Sequence, residues 1–138
     1  MEKNIYIASD HAGFEMKKKL INYFPKLIDL GTNSKESVDY PDFAHKLVKE
    51  VLKYKGSFGI LICGTGVGMS IAANRSRGIR AALISSSDIA RLVRQHNNAN
   101  VLVLPGRFMN DDTAKKSVET FIETKFDGGR HNNRIEKI

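Results

Sequence analysis

The sequence predicts an α/β fold, a three-layer α/β/α sandwich around a five-stranded parallel sheet, Rossmann-like in organisation. Three observations predict it. Short apolar runs alternate with longer segments of helical periodicity, five times over. The most apolar run, Phe58-Gly59-Ile60-Leu61-Ile62-Cys63, shows no polar alternation, as a strand covered on both faces requires. Polar or glycine-rich residues follow directly after strands, where open α/β sheets gather their ligands.

Ile5-Tyr6-Ile7-Ala8 reads as the first strand, followed by Ser9-Asp10-His11-Ala12-Gly13 and a helix with Phe14, Leu20, Ile21 and Phe24 on its apolar side. Pro25 ends that helix, and Leu27–Leu30 forms a short second strand closed by Gly31. After a polar loop, Asp39-Tyr40-Pro41-Asp42 has the features of a helix start: proline is tolerated in the first turn and carboxylates favour the positive end of the dipole. Phe43, Ala44, Leu47, Val48, Val51 and Leu52 then mark one face packed on the core. The third strand, 58–63, runs into Gly64-Thr65-Gly66-Val67-Gly68, and a short helix spans Ser70 to about Arg75. Ile79–Ile84 is the fourth strand. Ser85-Ser86-Ser87-Asp88 starts a helix with Ile89, Leu92 and Val93 inward and His96-Asn97-Asn98 at its end. Val101–Leu104 is the fifth strand, followed by Pro105-Gly106-Arg107. Asp111-Asp112 starts a helix carrying Ala114, Val118, Phe121 and Ile122, and Asp127-Gly128-Gly129 breaks it. A basic tail helix at about 130–138 puts Arg130 and Arg134 on one face. The recurrence of His-Asn-Asn at 131 carries no meaning at this level.

The 138 residues, 41% hydrophobic, suit a single domain spanning 1–138. One cysteine forbids an internal disulfide and fits a reducing cytoplasm. The apolar run near the N-terminus, Met1–Ala8, is too short for a signal peptide, and no run is long enough for a membrane span. The expectation is a soluble cytoplasmic protein. Its net charge of +7 is compatible with nucleic acid, an anionic substrate or a solvated lysine-rich exterior. No nucleic-acid module accompanies the charge, and Lys17-Lys18-Lys19 and Lys115-Lys116 read as solvated helix faces.

The chemistry concentrates at the turn after the third strand. Alternate glycines permit positive φ and let successive amides converge on an oxyanion or phosphate. Two familiar loops are excluded: Gly68 stands where the dinucleotide fingerprint needs a glycine one position later, and no Gly-Lys-Ser/Thr closes a P-loop. A lone cysteine is usually a small buried hydrophobe. At this turn Cys63 would instead face the loops, beside amides whose partial positive charge favours a thiolate base or nucleophile. Without a second cysteine or a nearby His/Cys/carboxylate cluster, a zinc site is not expected. His11 and His96 sit at element ends among polar neighbours, while Arg107, Arg130 and Arg134 suit a phosphate because guanidinium offers paired donors. Tyr40 reads as packing before chemistry. These residues describe a cofactor-free α/β enzyme acting on a small phosphorylated compound.

Five segments carry a family resemblance: Ser9-Asp10-His11-Ala12-Gly13-Phe14, Asp39-Tyr40-Pro41-Asp42, Ile62-Cys63-Gly64-Thr65-Gly66-Val67-Gly68, Arg94-Gln95-His96-Asn97, and Gly128-Gly129-Arg130-His131-x-x-Arg134. Together, in one order across nearly the whole chain, they resemble the type B ribose-5-phosphate isomerases of the ribose/galactose isomerase family. The resemblance implies metal- and cofactor-free interconversion of ribose 5-phosphate and ribulose 5-phosphate. It further implies Cys63 as the base between C1 and C2, the amides of Gly64, Gly66, Val67 and Gly68 around the enediolate, Thr65 assisting there, and His96 opening the furanose ring. Asp10, His11, Tyr40, Asn97 and Arg107 match sugar-binding positions, with His11 a second candidate for ring opening, and Arg130 and Arg134 match the phosphate grip. Family members are similar in forming dimers or tetramers with sites built between subunits. Residues 69–74 offer no carboxylate, so this chain resembles the cysteine branch of the family. The alternatives are a galactose-6-phosphate isomerase subunit, an allose-6-phosphate isomerase or, in another class, a phospho-ligand or nucleic-acid binding module.

Overall fold

The computed structural model describes residues 3–138; Met1 and Glu2, part of the N-terminal run considered above, lie outside the described residues. Five strands form one parallel sheet in the order β2-β1-β3-β5-β4. They are β1 (Ile5–Ser9), β2 (Ile28–Asp29), β3 (Phe58–Cys63), β4 (Ala81–Leu83) and β5 (Val101–Pro105). The helices are α1 (Phe14–Tyr23, entered through a 3-10 turn at His11–Gly13), α2 (Tyr40–Lys53), α3 (Val67–Asn74), α4 (Ser87–Asn97), α5 (Asp111–Glu123) and α6 (Arg130–Ile135).

Strand alternation divides the core into two layers. Ile60, Ile62, Leu102 and Leu104 pack against α1, α4 and α5 through Leu20, Ala90, Val118 and Phe121. Leu61, Cys63, Val101 and Val103 pack on the other face against α2 and α3 through Ala44, Leu47, Val48 and Met69. β3 and β5, in the middle of the sheet, bury both faces, which explains their uninterrupted apolar sequence. Gly59 is a glycine for a packing reason, since a Cβ there would run into Leu47.

Several sequence expectations change at the sheet edges. β2 and β4 are shorter than Leu27–Leu30 and Ile79–Ile84, because each pairs on one side only and loses its ladder early. In α4 the inward residues are Ala90 and Arg94, with Val93 partly covered; Ile89 and Leu92 are each 39% exposed. The helical phase was set by the more hydrophobic side chains, whereas the small Ala90 permits the close approach. Leu52, at the last turn of α2, likewise faces outward. α3 begins at Val67, one turn earlier than Ser70, since the glycine turn itself leads into the helix.

Lys17 departs from the solvated-face reading altogether. Its side chain is 1% exposed and its Nζ meets Asp29 Oδ1 at 2.7 Å, while the same carboxylate oxygen accepts from the Gly31 amide at 2.9 Å. A buried ammonium persists only when paired, and α1 carries this one onto the end of β2.

Candidate functional site

Chain connectivity at the carboxyl ends of β1, β3 and β5 brings three loops together. The loop after β5 is tied to the loop after β3 by Gly106 N–H donating to Cys63 O (2.8 Å) and Arg107 N–H to Gly64 O (3.0 Å). The Arg107 side chain lies across Gly64, where an added Cβ would come 3.5 Å from its Nη1. Asp10 closes the third loop: its Oδ1 accepts from the amides of Ala12 (2.9 Å) and Gly13 (3.1 Å), turning the chain into α1. Gly13 and Gly106 both press on Ile62, so small residues are required for these loops to meet.

In the glycine turn, Gly66 takes φ 79°, a left-handed conformation that a side chain resists, and a Cβ there would also strike Leu83. Thr65 Oγ1 accepts from the Val67 amide at 3.2 Å, so that amide is engaged at the start of α3. The amides of Thr65, Gly66 and Gly68 have no acceptor among the described residues. Three donors therefore stand open at a helix N-terminus, where the dipole favours negative charge. Tyr40 covers Gly68 closely enough that a Cβ at 68 would lie 2.5 Å from its ring. Packing, as read from sequence, is thus one role of Tyr40.

Cys63 is less open than expected. Its side chain is 5% exposed and belongs to the layer under α2 and α3, because strand alternation turns position 63 to the same face as Leu61. It is a buried thiol at the rim of the open amides. His11 Nδ1 accepts from the Val38 amide at 3.2 Å. In neutral His11 the proton therefore sits on Nε2, the nitrogen left to donate outward.

The remaining candidates are elsewhere. His96 and Asn97 end α4 at the amino-terminal edge of the sheet: Arg80, the residue before β4, donates through Nε to Asn97 O at 3.0 Å. α6 joins them there, anchored by Asp127 N–H to Gln95 O (3.1 Å) and Arg94 Nε to Thr124 O (3.2 Å). His96, Asn97, His131 and Arg134 line a cavity of about 280 Å³, and Arg130 is exposed on the same short helix. So the single chain holds two groups of candidate residues, with Cys63 at one end of the sheet and His96 at the other. A five-residue strand, about 16 Å long, separates those ends.

Two features escaped the sequence reading. The His131 ring stacks on His96 with centroids 4.5 Å apart and an interplanar angle of 17°, which joins His131 to the group around His96. Burial foremost, then His96 and Arg134, hold the His131 imidazole below its usual range, with Asp127 opposing. Ligand-type atoms of His96, Asp127 and His131 also lie within 4.8 Å of one another, a His/carboxylate cluster that sequence spacing alone did not disclose. Asp127 and His131 are near in the chain, but only tertiary packing brings α4 to them. Among the described residues, no helix is long and apolar enough to cross a membrane.

A family profile described as Ribose/Galactose Isomerase matches residues 5–138. Ribose-5-phosphate isomerase B of Escherichia coli (strain K12) is 41% identical, over 99% of this chain and 94% of that protein. A crystal structure of a ribose 5-phosphate isomerase from Thermotoga maritima is 57% identical with a TM-score of 0.95, covering 99% of this chain and 97% of its own. Ribose-5-phosphate isomerase B from Mycoplasma genitalium, solved with bound ribulose-5-phosphate, is 46% identical with a TM-score of 0.95, covering 99% and 94%.

Proposed function

The chain belongs to the ribose/galactose isomerase family, and from that premise we propose that it interconverts D-ribose 5-phosphate and D-ribulose 5-phosphate in the cytoplasm. The observation that carries the reading is the meeting of Cys63 with a turn whose Thr65, Gly66 and Gly68 amides stand open. A proton next to a carbonyl is removed at a useful rate only where the developing oxyanion meets donors already in position.

In this reading the open-chain aldose lies with C1 and C2 over Cys63. The thiolate takes the proton from C2, the C–H electron pair becomes the C1–C2 double bond, and the former carbonyl pair moves onto O1. The open amides stabilise that enediolate charge. Return of the proton from the thiol to C1, with loss of the proton on O2 and gain of one on O1, yields the ketose. Thr65 orients the turn. His11 Nε2, Asp10, Tyr40, Asn97 and Arg107 hold the sugar, His96 protonates the ring oxygen on opening, and Arg130 and Arg134 bind the phosphate.

One chain does not bring Cys63 and His96 within reach of one five-carbon substrate, which supports a homo-oligomer whose sites are completed across subunits. Exposed apolar side chains on the elements around edge strand β4, Val67 and Ile71 on α3, Leu83, and Ile89 and Leu92 on α4, are suited to such an interface.

The test is turnover of ribose 5-phosphate by wild-type and Cys63→Ser protein in chelator, with galactose 6-phosphate in parallel. Loss of a general base should lower turnover by about 10²- to 10⁴-fold with the fold intact. Undiminished turnover in the variant would remove Cys63 from the mechanism, and activity confined to the hexose would move the substrate assignment.

A further inference from the structure

Five cationic side chains meet in a place that the proposed reaction does not use. A cavity of about 590 Å³ opens at the amino-terminal ends of the strands, lined by Lys3, Lys53, Lys55, Arg80 and Arg94 and by no carboxylate. Lys53 is paired with Glu50 at 3.0 Å; the other four cations have no ion pair among the described residues.

The arrangement is built rather than scattered. Arg94 is only 5% exposed, and its guanidinium lies 4.6 Å from the Phe58 ring centroid and 5.7 Å from that of Phe121. Lys3 Nζ lies 4.0 Å from the same Phe58 centroid, so one ring serves an ammonium and a guanidinium. Arg80 and Arg94 converge on Asn98: Arg80 Nη2 donates to its backbone oxygen at 2.9 Å and Arg94 Nη1 to its side-chain oxygen at 2.8 Å. Arg94 Nη1 also donates to Ala99 O at 2.7 Å, whereas its Nη2 has no acceptor among the described residues.

Donation to the last carbonyls of α4 explains why guanidinium groups stand here. It does not explain why Lys3 and Lys55 join them with no acidic residue on the cavity wall. These like charges oppose one another. Burial and then Arg94 hold the Lys3 ammonium below its usual range, and burial and then Arg80 do the same for Arg94. A multiply charged anion would relieve that opposition, and forked guanidinium donors match phosphate oxygens.

We propose that this cavity binds a small phosphate-bearing polyanion, held by Lys3, Arg80 and Arg94 with Lys55 at its mouth. The volume exceeds that of one orthophosphate, so the fitting class carries two or more linked phosphates or a phosphate on a larger body.

The experiment is calorimetric titration of inorganic pyrophosphate into Arg130→Ala/Arg134→Ala protein, which removes the arginines assigned to the substrate phosphate, with sodium chloride matching ionic strength. Saturable binding of one pyrophosphate per chain is expected. Adding Lys3→Gln/Lys55→Gln, or separately Arg80→Gln, should weaken it at least tenfold with an unchanged circular dichroism spectrum. Absence of heat, equal affinity in both sets of variants, or equal heat from matched chloride would overturn the proposal. Tighter, salt-sensitive binding of a single-stranded oligonucleotide than of pyrophosphate would also overturn it, in favour of a nucleic-acid surface.

Discussion

The behaviour of Lys17 and of His131 depends on neighbours that only the fold brings to them. Removing the carboxylate from beneath Lys17 leaves an unpaired ammonium in the core, whereas Lys17→Met removes the charge and keeps the volume. Unpaired buried charge is the costlier defect. Asp29→Asn should therefore destabilise the protein by about 2 kcal/mol more than Lys17→Met in urea unfolding, discounted for the partial exposure of Asp29. His131 should titrate below the ordinary imidazole value of about 6.5 in NMR, and its midpoint should rise in His96→Asn, which removes one positive neighbour. The sign for stability follows. The unfolded chain takes up this proton first, so the contribution of neutral His131 is complete above about 6.5 and is lost as pH falls through its lower folded value.

Among the elements, the glycine turn and the start of α5 make the sharpest demands on residue type. Gly66→Ala meets both a positive φ and Leu83, and should cost about 2 kcal/mol in thermal or urea unfolding while also lowering turnover. Asn110 accepts from the Thr113 amide at 2.8 Å, and Asn110→Ala should cost about 1 kcal/mol with turnover unchanged. The central strands were legible because two-sided burial writes an unbroken apolar run, and the glycine turn because its spacing is tied to backbone geometry. The bounds of β2 and β4 were not, since edge pairing depends on neighbours rather than on local sequence. The phase of α4 was missed for a related reason: Ile89 and Leu92 look like core residues, and nothing local marks them as belonging to an outer face.

For the whole molecule, the five-stranded parallel sheet and its cover on both faces followed from the alternation of strand and helix, whereas the strand order β2-β1-β3-β5-β4 is visible only in the fold. The division of the candidate site did not follow either. Asp10, His11 and Cys63 were assigned correctly to the carboxyl ends of strands, but α4 and α5 each return the chain to the opposite edge, so His96 and Arg134 finish far from the glycine turn. Mixed oligomers test the proposed completion across subunits. Cys63→Ser and Arg134→Ala proteins, each inactive, should on unfolding and refolding together regain about a quarter of wild-type activity, since half the dimers would be hybrids with one intact site of two. No recovery would mean that each chain completes its own site.

If sites are completed across subunits as proposed, the separation of the two residue groups along the sheet would also make catalysis a reporter of association. An isolated subunit would hold both halves of the machinery and be inert, so activity per milligram would fall on dilution through the dissociation constant and return on concentration with second-order kinetics. A chain damaged in both halves, Cys63→Ser/Arg134→Ala, would moreover disable both sites of every dimer it enters and so poison its healthy partners, whereas damage in one half would cost one site of two.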